Sequence, residues 1–260
     1  MYAFEFERPS TLDEAVKALG AEGAQALAGG QTLIPTLKQR LAMPETLVSL
    51  AGIAELKGIS AEGGVLTVGA ASTHTEVAGQ TAYPALAHLA RGIGDPHVRN
   101  RGTIGGSLAN NDPSACYPAA ALGSGATIVT NAREIAADDY FTGLFETALE
   151  EGEIITEVRF PIPAKAAYVK FEQPASRFAL VGVFVSKGEG GVRVAVTGAS
   201  EAGVFRWAEA EAALASDFSA AALDGLSASA DDLIGDIHGS PAYRAHLIGV
   251  LTKRAVQAAG

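Results

Sequence analysis

Gly94-Asp95-Pro96-His97-Val98-Arg99-Asn100-Arg101-Gly102-Thr103-Ile104-Gly105-Gly106-Ser107-Leu108-Ala109-Asn110-Asn111-Asp112-Pro113 is the segment on which the reading of the chain turns. At its centre stands an adjacent glycine pair, Gly105-Gly106, with the hydroxyls of Thr103 and Ser107 on either side. Far upstream a second pair occurs in Ala28-Gly29-Gly30-Gln31-Thr32-Leu33-Ile34-Pro35, directly after a short β-like run. Such pairs lack Cβ atoms, admit positive φ and aim successive backbone N–H groups into a concavity suited to an anion. Either pair alone is most often just a tight turn, but both could hold a pyrophosphate. Neither Gly-x-Gly-x-x-Gly nor Gly-x-x-x-x-Gly-Lys-Ser/Thr occurs, which argues against dinucleotide binding of the Rossmann type and against P-loop chemistry.

The bulk composition narrows the partners. A formal charge of −10 disfavours nucleic acid, whose phosphate backbone needs clustered Lys and Arg. In an acidic chain a diphosphate must be held by local N–H dipoles, which is what glycine-rich loops supply. Cys116 is the only cysteine, so the chain has no intrachain disulfide and no ligand set for zinc or iron–sulfur. The five histidines, at 74, 88, 97, 238 and 246, show no zinc-type spacing, so no metal site is expected. No run of about 18 apolar residues appears, and the chain opens on strand-like sequence, so a cytoplasmic protein without a membrane span is expected.

At 260 residues and 48% hydrophobic, the length fits one large domain or two smaller ones, and two is the working count. Thr11 with Glu14 resembles a capping box, and Leu12, Ala15, Val16 and Leu19 follow at helical spacing, predicting a helix over 11–19. β-like runs are predicted at 25–28, 47–50, 65–69, 126–130 and 153–160. Pro161-Ile162-Pro163 must stop a strand, and the domain boundary is placed there. Beyond it, 178–187 and 192–199 read as a hairpin around a glycine-rich turn. Ser240 then caps a final helix with Pro241 at its first position. Strands and helices mix without regular βαβ alternation, so an α+β fold is favoured over a doubly wound sheet.

The Gly94–Pro113 segment resembles the flavin signature of medium subunits of the xanthine dehydrogenase family. Ala28 to Ile34 match that family's Ala-Gly-Gly-x-x-Leu-Ile/Leu segment, and Glu153-Ile154-Ile155-Thr156-Glu157 resembles its strand before Pro161. Within the family the chain is most similar to the flavoprotein subunits of aerobic carbon monoxide dehydrogenases. The resemblance extends to Ser240-Pro241-Ala242-Tyr243-Arg244-Ala245-His246-Leu247, and so spans essentially the whole chain.

This resemblance implies a two-part FAD-binding domain of the PCMH/vanillyl-alcohol-oxidase type over 1–161, its two subdomains meeting near 55. A small C-terminal α+β domain, an antiparallel sheet plus helices, would follow over 165–260. It further implies one non-covalent FAD, with Ala28, Gly29, Gly30, Gln31, Thr32, Leu33 and Ile34 together with Thr103, Ile104, Gly105, Gly106 and Ser107 at the pyrophosphate. Asn110 and Asp112 would lie near the nucleotide half, and Ile155 and Lys170 closer to the flavin. The implied partners are an iron–sulfur small subunit and a molybdenum-cofactor large subunit, assembled as a dimer of heterotrimers in a molybdenum hydroxylase complex. Electrons would arrive from a [2Fe–2S] subunit and leave to an external acceptor. Three departures from the family pattern stand out: Cys116 stands where many relatives have aspartate, Ser176-Arg177 where carbon monoxide dehydrogenases tend to have an aromatic residue followed by an acid, and Gln31 where a smaller residue or histidine is common.

No paired base or nucleophile is evident, so no catalytic residue is assigned, consistent with an FAD that carries the redox chemistry itself. Two alternatives are a free-standing FAD-dependent oxidoreductase, whose substrate base should be visible, and a scaffold that has lost the flavin. Cys116 reads as a small buried hydrophobe. Asp138-Asp139 and Glu150-Glu151 read as solvated faces, and His238, Arg244 and His246 as water-facing charges. His97 and Arg99 fit equally well as phosphate partners or as loop anchors.

Overall fold

The computed structural model describes all 260 residues. Its first portion holds β1 (Glu5–Glu7), α1 (Leu12–Leu19), β2 (Ala24–Leu27), α2 (Leu33–Lys38) and β3 (Thr46–Ser49). Thr11 caps α1 by accepting the Glu14 N–H at 3.2 Å, while the Glu14 carboxylate accepts from both the amide and the hydroxyl of Ser10. The three strands pair in parallel in the order β1-β3-β2, so this small sheet does use local βαβ connection within a chain that lacks it elsewhere. Ala15, Leu19, Val48, Ile53 and Leu56 bury its inner face, together with Ile154, which lies just before a strand of the next sheet.

The second portion runs through β4 (Ile59–Glu62), β5 (Val65–Gly69), α3 (His74–Gly79), α4 (Pro84–Arg91), α5 (Pro96–Arg99), α6 (Ile104–Asn110) and α7 (Tyr117–Ser124). It then continues as β6 (Thr127–Thr130), β7 (Glu134–Ala136), α8 (Ala137–Tyr140), β8 (Phe141–Gly143), β9 (Glu146–Thr147) and β10 (Ile155–Pro161). An antiparallel sheet in the order β4-β5-β10-β6-β7 forms its centre. α7 has every residue buried, because it lies between this sheet and the one that follows. A helix covered on all sides carries no apolar stripe, which is why periodicity alone did not predict it.

The last portion comprises β11 (Lys165–Glu172), β12 (Ala179–Gly188), β13 (Gly191–Ser200), β14 (Gly203–Arg206), α9 (Ala208–Ser216) and α10 (Pro241–Ala258). The strands form an antiparallel meander, with the expected hairpin between β12 and β13. α4 and α7 cover one face of this sheet, α9 and α10 the other. Sandwiching explains why β12 is apolar at nearly every position instead of alternating. Val181, Val183 and Val185 enter the core beneath α10. Phe184 enters the other core, where it joins Tyr83, Tyr117 and Phe160. The chain passes between sheets where the proline cluster predicted, but the hydrophobic core is continuous across that point.

One charged group keeps its expected exposure and another does not. Asp138 is an exposed carboxylate, its side chain 42% accessible, and from that solvated face it pairs with Arg193 at 2.5 Å and with Arg206 at 3.3 Å, tying α8 to the final sheet. Arg244 is not water-facing: it is 2% exposed and donates to Leu180 O and Gly198 O, both at 2.7 Å, and to Asp236 Oδ2 at 2.8 Å. Leu180 and Gly198 belong to β12 and β13, so one guanidinium pins α10 to two strands. Arg244→Ala leaves two buried carbonyls without donors and should lower the unfolding free energy in urea by about 2–4 kcal/mol.

Candidate functional site

The loop after β2 turns on Gly30, whose φ of +72° is strained for any residue with a side chain. From Ala28 through Leu33 no backbone N–H has a protein acceptor, in a structure where most other loops and turns pair theirs. Gln31 folds its side-chain amide back onto Gly29 O at 3.4 Å. Six successive donors without a protein acceptor, on half-buried to exposed residues that border a cavity, are a concentrated anion-binding feature, since consecutive N–H groups form a concavity of positive potential.

The second glycine pair works differently from the sequence-based expectation. Neither Gly105 nor Gly106 has positive φ, because both lie in the first turn of α6. Their amides are already engaged, Gly105 N–H with Ala70 O at 2.9 Å and Gly106 N–H with the capping Thr103 Oγ1 at 3.2 Å. What they provide is close approach. A Cβ on Gly105 would stand 2.6 Å from Ala70 Cβ, and one on Gly106 would stand 3.2 Å from Ala28 Cβ, in the first glycine loop. A Cβ on Gly29 would fall 2.0 Å from Arg101 O. The two loops therefore meet backbone to backbone.

Together they border a cavity of about 600 Å³, within the range of sites that hold a cofactor-sized ligand. Ala28, Gly29, Gly30, Gln31, Thr32, Leu33, Thr103, Gly105, Gly106, Ser107, Asn110, Asp112 and Ile155 all line it. Three predicted residues do not. Ile34 packs back against Gly30, and Ile104 is fully buried in the core beneath α6. Lys170 is committed elsewhere: its ammonium donates to Gly92 O at 2.7 Å and to Arg177 O at 2.5 Å, and stands 3.7 Å from Glu172. Lys170 thus holds the Arg177 loop, while Ser176 and Arg177 themselves reach the cavity.

Arg99 resolves as a loop anchor, donating to Ile93 O and Gly94 O at 3.0 and 2.9 Å. Asp95, not His97, does the work at the start of α5, accepting the His97 and Val98 amides. Burial raises the Asp112 pKa, against the N–H that Ser114 donates to it. Cys116 is buried at the cavity wall, where desolvation pushes its thiol up against the opposing pull of the Lys170 ammonium. Glu153 also lines the cavity. Arg133, bonded to it at 3.1 Å, holds its carboxyl at about 2.

The residue that sequence reasoning missed is His74. It lines the cavity at 5% exposure, at the first position of α3 behind the reciprocal cap of Thr73 and Glu76. Thr73-x-x-Glu76 was legible as a capping signature, but nothing local shows that the following ring lies against Gly102, where a Cβ would be 2.5 Å from Nε2. Burial, aided by the Arg99 charge, lowers the His74 pKa to about 4.

The chemistry of this cavity suits a nucleotide diphosphate: free N–H donors on one loop, hydroxyls at Thr32, Thr103 and Ser107, and glycines that let the two loops approach each other at its border. Residues 2–163 match the family described as the FAD binding domain in molybdopterin dehydrogenase. The chain belongs to the FAD-binding medium subunits of molybdenum hydroxylases. Within that family it is 34% identical to the carbon monoxide dehydrogenase medium chain of Hydrogenophaga pseudoflava, over 98% of this chain and 96% of that one. It is 33% identical to the nicotine 6-hydroxylase medium subunit of Paenarthrobacter nicotinovorans, over 99% and 98%. A solved structure of reconstituted CO dehydrogenase from Oligotropha carboxidovorans superposes with a TM-score of 0.88 at 32% identity, covering 99% of this chain and 98% of that chain. The cofactor is FAD, and the chain is the flavoprotein subunit of a multi-subunit oxidoreductase. No helix is long and apolar enough to cross a membrane.

Two outcomes test this geometry. Gly106→Val places branched carbons against Ala28 and should cut FAD affinity at least roughly tenfold in a chain that stays folded by circular dichroism. Since His74 binds a proton less readily when folded, acid favours the unfolded chain as pH falls from 6.5 towards 4. In flavin-free protein the loss of thermal stability across that window should be shallower in His74→Leu than in wild type, whereas the contribution of Glu153 is lost only below about 4.5.

Proposed function

We propose that this chain is the electron-carrying subunit of its complex, taking electrons from a [2Fe–2S] small subunit and passing them to an external acceptor. Substrate would be oxidised on a separate large subunit that carries the molybdenum cofactor, the assembly being a cytoplasmic dimer of heterotrimers. The single observation that carries the FAD-holding part of this reading is the cavity on which both glycine loops converge, with six unpaired amides from Ala28 to Leu33. In this reading those amides, with the hydroxyls of Thr32, Thr103 and Ser107, hold the FAD pyrophosphate. Asn110 and Asp112 serve the nucleotide half, Ile155 lies towards the flavin, and Lys170 acts indirectly by fixing the Arg177 loop. Bound FAD supplies the exchange between single-electron delivery and an acceptor that takes two.

A lone cysteine cannot ligate an iron–sulfur cluster, so the donor must be another chain. Relatives named for carbon monoxide and for nicotine are similar over nearly the whole length of this chain. That breadth supports assigning substrate choice to the large subunit.

Reconstitution of the three subunits should allow the substrate of the complex to bleach the flavin absorbance, and omission of this chain's FAD should abolish reduction of the acceptor. Substrate oxidation by this chain alone would favour a free-standing oxidoreductase instead.

A further inference from the structure

His74 is a buried polar ring without a protein partner. Its Nδ1 is sealed from solvent and bonded to nothing, whereas Nε2, which also has no hydrogen-bond partner in the chain, is not sealed and is the nitrogen open to a ligand. Buried imidazoles are ordinarily satisfied at one nitrogen at least, by a carbonyl, a carboxylate or water. The ring is nonetheless held closely. The His74 amide donates to Gly102 O at 2.9 Å, and Ile104 N–H donates to Ser72 O at 3.1 Å, lacing residues 72–74 to 102–104. On one side the ring meets Tyr117, with centroids 5.3 Å apart, and on the other Gly102, whose missing side chain makes room for it. The loop it touches leads directly into Thr103, Gly105 and Gly106, and the residue borders the same cavity.

We infer that His74 is a hydrogen-bonding contact for bound FAD, its Nε2 meeting a polar atom of the cofactor beside the Gly102–Gly106 loop. The inference rests on this cavity being the FAD site. With its pKa lowered to about 4, the ring at neutral pH offers one donor and one acceptor and no charge. A neutral partner suits this place, because Arg99 already stands within Coulombic reach of the ring. In the flavin-free chain the sealed, unpaired Nδ1 is a liability, since an unsatisfied buried polar group destabilises the fold.

That opposition separates a ligand contact from a structural residue. Flavin-stripped full-length chain is titrated with FAD, following quenching of flavin fluorescence. His74→Leu, which keeps the bulk and removes both nitrogens, should weaken FAD binding roughly tenfold while unfolding at a temperature no lower than wild type without FAD. His74→Gln, which restores a donor and an acceptor, should stay within about threefold of wild-type affinity. Wild-type affinity in His74→Leu, with FAD lost from Gly106→Val, overturns the role of His74 alone. Wild-type affinity in both chains removes FAD from this cavity and the inference with it. If His74→Leu does not fold, the ¹⁵N resonances of the His74 ring in the wild-type chain decide: a shift on adding FAD supports the contact, and unmoved resonances overturn it.

Discussion

Everything around the cavity depends on the approach of two backbones, Gly29 against the carbonyl of Arg101 and Gly106 against Ala28. At the first contact there is no room for even a methyl group, since a Cβ on Gly29 would lie 2.0 Å from Arg101 O. Because no side chain intervenes, the free amides of the first loop come to border the same space as the hydroxyls of the second. The loops divide the labour. One supplies unpaired donors and a left-handed turn at Gly30, and the other, its amides already engaged, supplies a rigid wall.

That wall is rigid because it is laced to the strip after β5. Ala70, Ser72 and the amide of His74 bond to Gly105, Ile104 and Gly102 in turn, and Ala70 N–H bonds onward to Thr156 of the central strand β10. α7 then carries the connection into the last sheet, where Ser186 donates to Gly123 O at 2.6 Å and Thr197 to Pro113 O at 2.8 Å. The C-terminal sheet is therefore a support for the cavity, and it also contributes to the rim through Ser176, Arg177 and Phe178.

In a chain of net charge −10 the long-range field repels a diphosphate. Short-range donors must offset that repulsion, and amide dipoles in a partly enclosed site act with little screening. Basic side chains near the site are largely spent on carbonyls: Lys170 on Gly92 and Arg177, Arg99 on Ile93 and Gly94. They shape the loops instead of meeting the ligand.

The sequence by itself determined the two glycine segments, the α+β class, the strand that stops at Pro161, the β12–β13 hairpin and the cap of α10, because each is written in contiguous residues. It also determined that these 260 residues hold no ligand set for an iron–sulfur centre, since one cysteine cannot ligate a cluster. Only the tertiary structure decided which amides remain free, because pairing depends on whether a distant carbonyl such as Ala70 O is present. The same holds for Lys170, drawn off the cavity by two carbonyls, for Arg244, whose strand partners lie 64 and 46 residues upstream of it, and for His74, placed by its contact with Gly102. Local pattern records what a segment can form. Which partner satisfies each polar group is set by contacts between segments far apart in the chain, and periodicity carries no trace of those.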